Sequence, residues 1–445
     1  MRLRPRTVVD LDLGSPEGPV LSLRPAPGGP PPGPGDVYAL VRLRGRPAAT
    51  LLGHVREGDD PAEVLSALAR DQLLPARGGE SYGRSHGDPH DPHGDPHGDP
   101  HGLRHRHGLP PVEPRILPPR ACVVVATRER ADQLARALDS LLDQDHPDHE
   151  ILVVDNAPRT RETEELVTRK YGDRVRYVRE DTPGLAVAHN TGLAHARAEV
   201  VAFTDDDVVA DPHWLTALTT PFAADPRLGC VTGLILPARL RTPAQILLES
   251  HGGFAKGFAP RLYDPLRPPA DEPLFPFTAG SFGSGANMAF RTRALQAAGG
   301  FDPATGTGTA ARGGDDLYAF VAVLSAGFRL RYTADALVWH HHRETPQDLR
   351  NQAFGYGAGL TAYLTATLVR RPALLPAFLA RLPRGLAHAR SITARREEGA
   401  VTGVPGAHGA LTHPWPRGLS RLERRGMLYG PLGYAKARLR NGGSR

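Results

Sequence analysis

The residues of this 445-residue chain best suited to chemistry stand together in FTDDDVVADPHWL, where Asp205, Asp206 and Asp207 follow the apolar run VVAF. At about 6 Å and an effective dielectric near 20, each pair of carboxylates repels by roughly 3 kcal/mol, so the triplet needs a positive partner. A solvated loop or a helix N-terminus also accommodates aspartates, and only the surrounding elements decide between these readings. A second candidate is SHGDPHDPHGDPHGDPHGLRHRHG, with His86, His90, His93, His97 and His101 at spacings of three and four. On a helix such spacing would build a zinc site, but a proline in every repeat forbids the helix. This stretch is expected to be an unstructured linker with at most incidental metal binding.

The elements that position the triplet follow from hydrophobic patterning. Apolar, β-branched runs recur at ACVVVA (121–126), EILVVD (150–155), VRYVR (175–179) and EVVAF (199–203). Between them lie ERADQLARALDSLLDQ, RETEELVTRKYG and PGLAVAHNTGLAHARA, which read as helices. Buried strands alternating with amphipathic helices predict an α/β fold of βαβ units, its parallel sheet covered on both faces. In such sheets ligands bind outside the carboxyl ends of the strands. Asp155 ends one strand and Asp205–Asp207 another, while Thr127, Arg128 and Arg130 follow the first strand on the same edge. A basic and hydroxyl loop beside carboxylates suits a phosphorylated, metal-bound ligand. Neither the glycine fingerprint of dinucleotide enzymes nor a P-loop is present, which argues against nicotinamide and ATP chemistry.

Ahead of this region, residues 1–80 read as a small accessory domain. VYALVRLRGRPAATLLGHV alternates as a hairpin, DDPAEVLSALARDQLL is a short amphipathic helix, and RPAPGGPPPGPGD is too rich in proline and glycine for regular structure. Residues 81–114 are the expected linker, 115–345 the catalytic domain and 346–445 a helical, basic extension. Cys122 and Cys230, the two cysteines, lie in apolar runs and read as buried thiols of a reducing compartment. Without an apolar stretch of signal-peptide or membrane-spanning length, the expected location is cytoplasmic. From Arg370 onward fifteen Lys or Arg face three acidic residues, so the tail carries +12 of the chain's +6 and the remainder −6. That tail, with the segment LTAYLTATLVRRPALLPAFLARLP, suits peripheral contact with an anionic membrane surface. A helical appendage packed on the catalytic domain is the alternative. No nucleic-acid partner is expected.

From about Arg120 to Gly357 the chain resembles the family 2 glycosyltransferases, which have the nucleotide-sugar-binding GT-A fold. The resemblance rests on six ordered motifs: CVVVATRER, EILVVDN, DTPGLAVAHNTGLAHARAEVVAFTDDDVVADPHWL, SGANMAFRTRALQAAGGFD, GGDDLYAFVAVLSAGFRL and ALVWHHH. It implies a Rossmann-like, mostly parallel sheet with helices on both faces, and roles for individual residues. Thr127, Arg128 and Arg130 would line the nucleotide pocket, and Asp155 would accept a hydrogen bond from the base. Asp205 and Asp207 would hold Mn²⁺ or Mg²⁺ on the donor diphosphate, consistent with the oxygen ligands such ions favour. His340 would be a further metal ligand, and Asp206 would touch the sugar or ribose. Asp316 would be the general base and Asp315 its acidic neighbour, capping the helix that follows.

The implied reaction moves one sugar from a nucleotide-diphosphate-sugar to a hydroxyl acceptor with inversion. The acceptor would be a glycan, a lipid-linked group or a small molecule, in cell-envelope, glycolipid or secondary-metabolite glycosylation. Departures are Ala126 where a proline usually precedes the threonine, Asp315 for the usual glutamate, and Tyr318 where a further acid is frequent. The Q-x-x-R-W signature of processive synthases is lacking, RNQAFGYG being the only comparable segment, and together with the expected lack of spanning helices this favours single addition. A noncatalytic nucleotide-sugar-binding scaffold and a sugar nucleotidyltransferase are the competing readings.

Overall fold

The computed structural model describes residues 3–73, 117–251, 254–399 and 411–442; the histidine-rich stretch lies outside them. The described residues form two sheets. The smaller has the order β2-β1-β3-β4, from β1 (Thr7–Leu13), β2 (Val20–Pro25), β3 (Gly35–Leu43) and β4 (Arg46–Val55), with α1 (Pro61–Leu73) on one face. The expected hairpin is β3–β4. Its turn, Arg44-Gly45, has positive φ at both residues, the mirror-image turn that matches strand twist. Strands β1 and β2 were not anticipated; TVVDLDL and VLSLRP are short and take their partners across a proline-rich loop.

The larger sheet begins with β5 (Ala121–Thr127), α2 (Ala131–Leu142), β6 (His149–Asn156), α3 (Glu162–Leu166), β7 (Val175–Glu180), α4 (Leu185–His195) and β8 (Val200–Asp205). It continues with β9 (Val208–Ala210), α5 (Trp214–Ala224), β10 (Leu228–Pro237), α6 (Pro243–Ser250), β11 (Arg261–Tyr263), β12 (Asn287–Arg291), α7 (Thr292–Ala297), α8 (Asp315–Ser325) and β13 (Arg329–His340). Its order is β11-β13-β10-β12-β8-β5-β6-β7, with β9 on β13. The half formed by β8, β5, β6 and β7 is wholly parallel, as expected. In the other half β12 runs antiparallel to both β8 and β10, while β10 and β13 are parallel.

The period-2 alternation of β5 shows why both faces need helices. Cys122 and Val124 join one apolar cluster with α4 and α8, while Ala121, Val123 and Val125 join the other with α2 and α5. Burying such side chains contributes about 1.5–3 kcal/mol for each valine or larger residue. Both cysteines are free and buried. Where the β10–β13 ladder shifts register, the fully buried Asn287 donates from Nδ2 to Leu234 O and Ala336 O, satisfying carbonyls the shift would leave unpaired. The shift sets the register of the last residues of β13, ending at His340.

The small sheet is not a free appendage. Tyr38 and Leu40 of β3 enter a cluster with Leu234 and Leu236 of β10 and Leu337 and Trp339 of β13. Arg42, also buried, bridges Asp10 at 2.9 Å and Asp211, just past β9, at 2.6 Å. The strands behind the acidic turn are thus braced from the N-terminal sheet.

Among the described residues three helices follow: α9 (Pro346–Arg370), α10 (Leu375–Glu398) and α11 (Arg417–Gly442). Helices α9 and α11 approach closely through glycine; a Cβ on Gly357 would lie 1.9 Å from Glu423 O, and one on Gly426 2.1 Å from Phe354 O. Helix α10 has no buried residue and exposes Leu375, Leu379, Leu382 and Leu386. Among the described residues no helix is long and apolar enough to cross a membrane.

Candidate active site

Strand register brings the candidate residues to one edge. Thr127 pairs with Asp155, Ala126 with Asp205, and His340 with Val208, so the ends of β5, β6, β8 and β13 are level. The chain turns sharply through Asp206 and Asp207 between β8 and β9, and the two aspartates face different partners. Asp206 accepts from Thr127 Oγ1 at 2.7 Å and from Arg130 Nη1 at 3.1 Å. Both Asp206 oxygens are therefore engaged by Thr127 and Arg130. Arg128 is exposed on the same loop.

Asp207 meets the positive charge that the triplet demanded. Its carboxylate lies 3.4 Å from His340 Nε2, 3.5 Å from Arg343 and 3.7 Å from Arg130. Burial opposes ionisation of Asp207, but His340, Arg343 and Arg130 hold its carboxyl well below the usual carboxylate range. Asp205 goes the other way, pushed up to about 7 by burial and then by the neighbouring Asp207. Burial disfavours the His340 imidazolium, yet Asp207 and Asp205 raise it above the ordinary histidine value.

One ligand atom from each of Asp205, Asp207 and His340 lies within 4.8 Å of the others. Asp207 Oδ1 is buried and makes no hydrogen bond, with only the His340 Nε2 contact at 3.4 Å, so it is available to a divalent cation held between the two. Two carboxylates and an imidazole suit Mn²⁺, and two carboxylates with substrate phosphates suit Mg²⁺. Of the neighbouring histidines, His341 donates its backbone N–H to Asp207 O at 2.9 Å, and His342 lies behind His340.

Asp155 accepts from Tyr177 OH at 3.0 Å through Oδ2, while its buried Oδ1 has no hydrogen-bond partner. Burial raises its carboxyl above the ordinary value. Asp315 and Asp316 open α8, but Asp315 does not cap it. Gly314, at a left-handed φ of 87°, takes the N-cap position, and no side chain caps this helix. The buried Asp315 instead approaches His189 Nδ1 of α4 at 3.2 Å. Asp316 accepts from the backbone N–H groups of Gly285 and Leu317, both at 2.8 Å. Burial, then Asp315, pushes Asp316 up to about 6.

Three residues of this neighbourhood escaped the reading of the sequence. Arg343 follows the histidine run directly, so its place one residue beyond it was the available signal. His189 sits in PGLAVAHNTG, where nothing marks it as more than a core histidine; Phe203 and Phe301 flank it at 4.9 and 4.8 Å between ring centroids. Glu249, in α6, reaches His342 from 93 residues away and had no signal at all.

Residues 122–297 match the family model "Glycosyl transferase family 2". The chain is 30% identical over 241 residues to the pre-mycofactocin glycosyltransferase of Mycobacterium tuberculosis, covering 53% of this chain and 45% of that protein. It is 36% identical over 125 residues to the validoxylamine A glucosyltransferase of Streptomyces hygroscopicus subsp. jinggangensis, covering 26% and 29% respectively. The matched region thus spans less than half the length of either relative. Among solved structures, the mannosyltransferase PcManGT from Pyrobaculum calidifontis, in complex with GDP-Man and Mn²⁺, is 22% identical with a TM-score of 0.43, covering 74% of this chain and 89% of that one.

Proposed function

We propose, for a chain that belongs to glycosyl transferase family 2 through its residues 122–297, a metal-dependent, inverting transfer of one sugar from a nucleotide-diphosphate-sugar to a hydroxyl acceptor. The observation that carries this reading is the Asp205–Asp207–His340 cluster at the strand edge, with a buried carboxylate oxygen that makes no hydrogen bond. Bound there, Mn²⁺ or Mg²⁺ would supply positive charge against the departing nucleoside diphosphate. The protein's own groups do the rest. Asp155 Oδ1 is a free acceptor for a donor group on the base. Thr127 and Arg130 hold Asp206, which fixes the turn that carries Asp205 and Asp207. Asp316 removes the proton of the acceptor hydroxyl as its oxygen bonds to the anomeric carbon from the face opposite the leaving diphosphate, so a single displacement inverts that centre.

The deciding experiment offers the purified chain UDP-, GDP- and dTDP-sugars with Mn²⁺ or Mg²⁺ and follows binding and hydrolysis. Metal-dependent turnover of one nucleotide class is expected, and inertness toward the whole panel would sink the proposal. The panel also identifies the sugar.

The same reading includes a peripheral contact with an anionic membrane surface through α10. Its exposed leucines recur every three or four residues, and Arg381, Arg384 and Arg390 border them with no acidic residue before Glu397. Such a helix lies in an interface, and its affinity falls with salt. The protein is expected to float with phosphatidylglycerol vesicles at low salt and to stay behind when Leu379 and Leu386 are changed to Glu. Equal flotation of that variant would remove α10 from the role.

A further inference from the structure

We infer that Glu249 and His342 are positioning residues for His340, forming a buried hydrogen-bonded chain that fixes which ring nitrogen of His340 faces Asp205 and Asp207. The inference rests on the proposed metal site and extends it into the protein behind.

The chain has two links. His342 Nε2 lies 3.1 Å from Glu249 Oε2, and His342 Nδ1 lies 2.8 Å from His340 Nδ1. The side chains of His342 and Glu249 are 1% and 8% exposed, so water does not compete for these contacts. Donor and acceptor roles then follow by elimination. A carboxylate only accepts, so His342 Nε2 carries a proton and donates it to Glu249. Two ring nitrogens at 2.8 Å share a single proton. With Nε2 protonated, a neutral His342 has a bare Nδ1, and the shared proton belongs to His340 Nδ1. His340 Nε2 is thereby the atom turned to the aspartates, 3.4 Å from Asp207 Oδ1. Metal-binding histidines are commonly oriented by a carboxylate on their second nitrogen, and here an additional imidazole stands between the two.

The surroundings hold the chain rigid. Helix α6, which bears Glu249 near its end, starts in a capping box between Thr242 and Gln245. Gln245 Nε2 also donates to His342 O at 3.3 Å, so the start of α6 grips the backbone of the residue whose ring its end receives. The Phe254 ring lies 5.3 Å from that of His340 and 5.6 Å from that of His342, centroid to centroid. From the N-terminal sheet, Tyr38 OH approaches the other Glu249 oxygen at 3.5 Å, the outer limit of a hydrogen bond.

The test uses the full chain and two readouts. Mn²⁺ is titrated alone and with UDP or GDP, and free ion is followed by electron paramagnetic resonance. His342→Ala is expected to weaken Mn²⁺ binding about 10–100-fold, the usual effect of losing such a partner. Glu249→Gln should give a smaller loss. His342→Asn, whose Oδ1 can still accept from His340 Nδ1, should recover part of the affinity, which a merely structural role would not predict. The second readout, ¹⁵N resonances of the wild-type histidines, needs no metal and no variant: His342 should be neutral with its proton on Nε2. A His342 proton on Nδ1, or Mn²⁺ bound as tightly by His342→Ala as by wild type, overturns the positioning role. Should wild type bind Mn²⁺ no better than Asp207→Asn while His342 shows the expected tautomer, the metal reading fails and the hydrogen-bonded chain stands.

Discussion

Asp316→Asn is expected to lower kcat by about 10²–10⁴-fold, the range associated with loss of a general base, while nucleotide-sugar binding stays near the wild-type level. The substitution keeps the shape and one acceptor oxygen, so Gly285 N–H or Leu317 N–H retains a partner and α8 keeps its first turn. What is lost is the atom that takes the proton. The pH dependence supplies a second, independent signature. Burial and Asp315 raise the Asp316 carboxyl to about 6, so it becomes protonated, and the base form is lost, as pH falls through about 6. The kcat profile should therefore have its acid limb near pH 6, well above the ordinary aspartate value of about 4.

Linkage separates this limb from acid unfolding. A carboxyl whose folded-state value is raised binds its proton more readily in the native chain than in the unfolded one. Asp316 by itself therefore favours the folded state increasingly as pH drops from about 6 toward 4, and its burial costs stability above that window. Activity lost between pH 6 and 5 with the thermal midpoint unchanged or higher would fit titration of the base. Equal loss of donor binding and transfer in Asp316→Asn would remove the base assignment, because a residue acting only on the acceptor proton leaves the donor complex intact.

How much of this could be read without coordinates depended on sequence distance. Strands β5 to β8 are runs of β-branched residues buried on both faces, a signal that needs no knowledge of partners, and the edge on which Asp155 and Asp205 lie followed from it. The antiparallel half was opaque. Strand β12 is NMAFR, five residues, and inserts between β8 and β10 through pairing that only the assembled sheet dictates. The same holds for the electrostatics. A positive partner for the triplet was foreseeable from Coulomb repulsion, and Arg130, three residues past β5, was within reach of the argument. His189 against Asp315 and Glu249 against His342 are contacts across 126 and 93 positions, respectively, made where the fold brings α4 to the start of α8 and α6 to the residues that follow β13. The capping role expected of Asp315 failed for a local reason: Gly314 enters the helix from left-handed φ and takes the N-cap position, which frees the aspartate to face the histidine.

Asp207→Asn addresses the opposite half of the reaction and should abolish the metal-dependent part of donor binding. His340, Arg343 and Arg130 around it hold Asp207 in its charged form, and its Oδ1 makes no hydrogen bond beyond the His340 contact at 3.4 Å. Removing one partner from such a buried charged arrangement typically costs about 2–5 kcal/mol, so metal-dependent affinity for the nucleotide-sugar should fall by at least about 30-fold. The variant also removes a negative charge from a pocket that keeps Arg130 and Arg343. Nucleotide binding in the presence of EDTA should accordingly be unchanged or tighter, because the diphosphate no longer faces that carboxylate. Calorimetric titration with Mn²⁺ and with EDTA reads both quantities on one preparation. A uniform loss under both conditions would mean that the turn had collapsed. Asp206→Asn is the comparison, since it disturbs the Thr127 and Arg130 contacts without removing either proposed carboxylate ligand. Selective loss of the metal-dependent part in Asp207→Asn but not in Asp206→Asn would assign the cation to Asp207; the reverse pattern would transfer that role to Asp206 and leave Asp207 as the counter-ion of its three cationic neighbours.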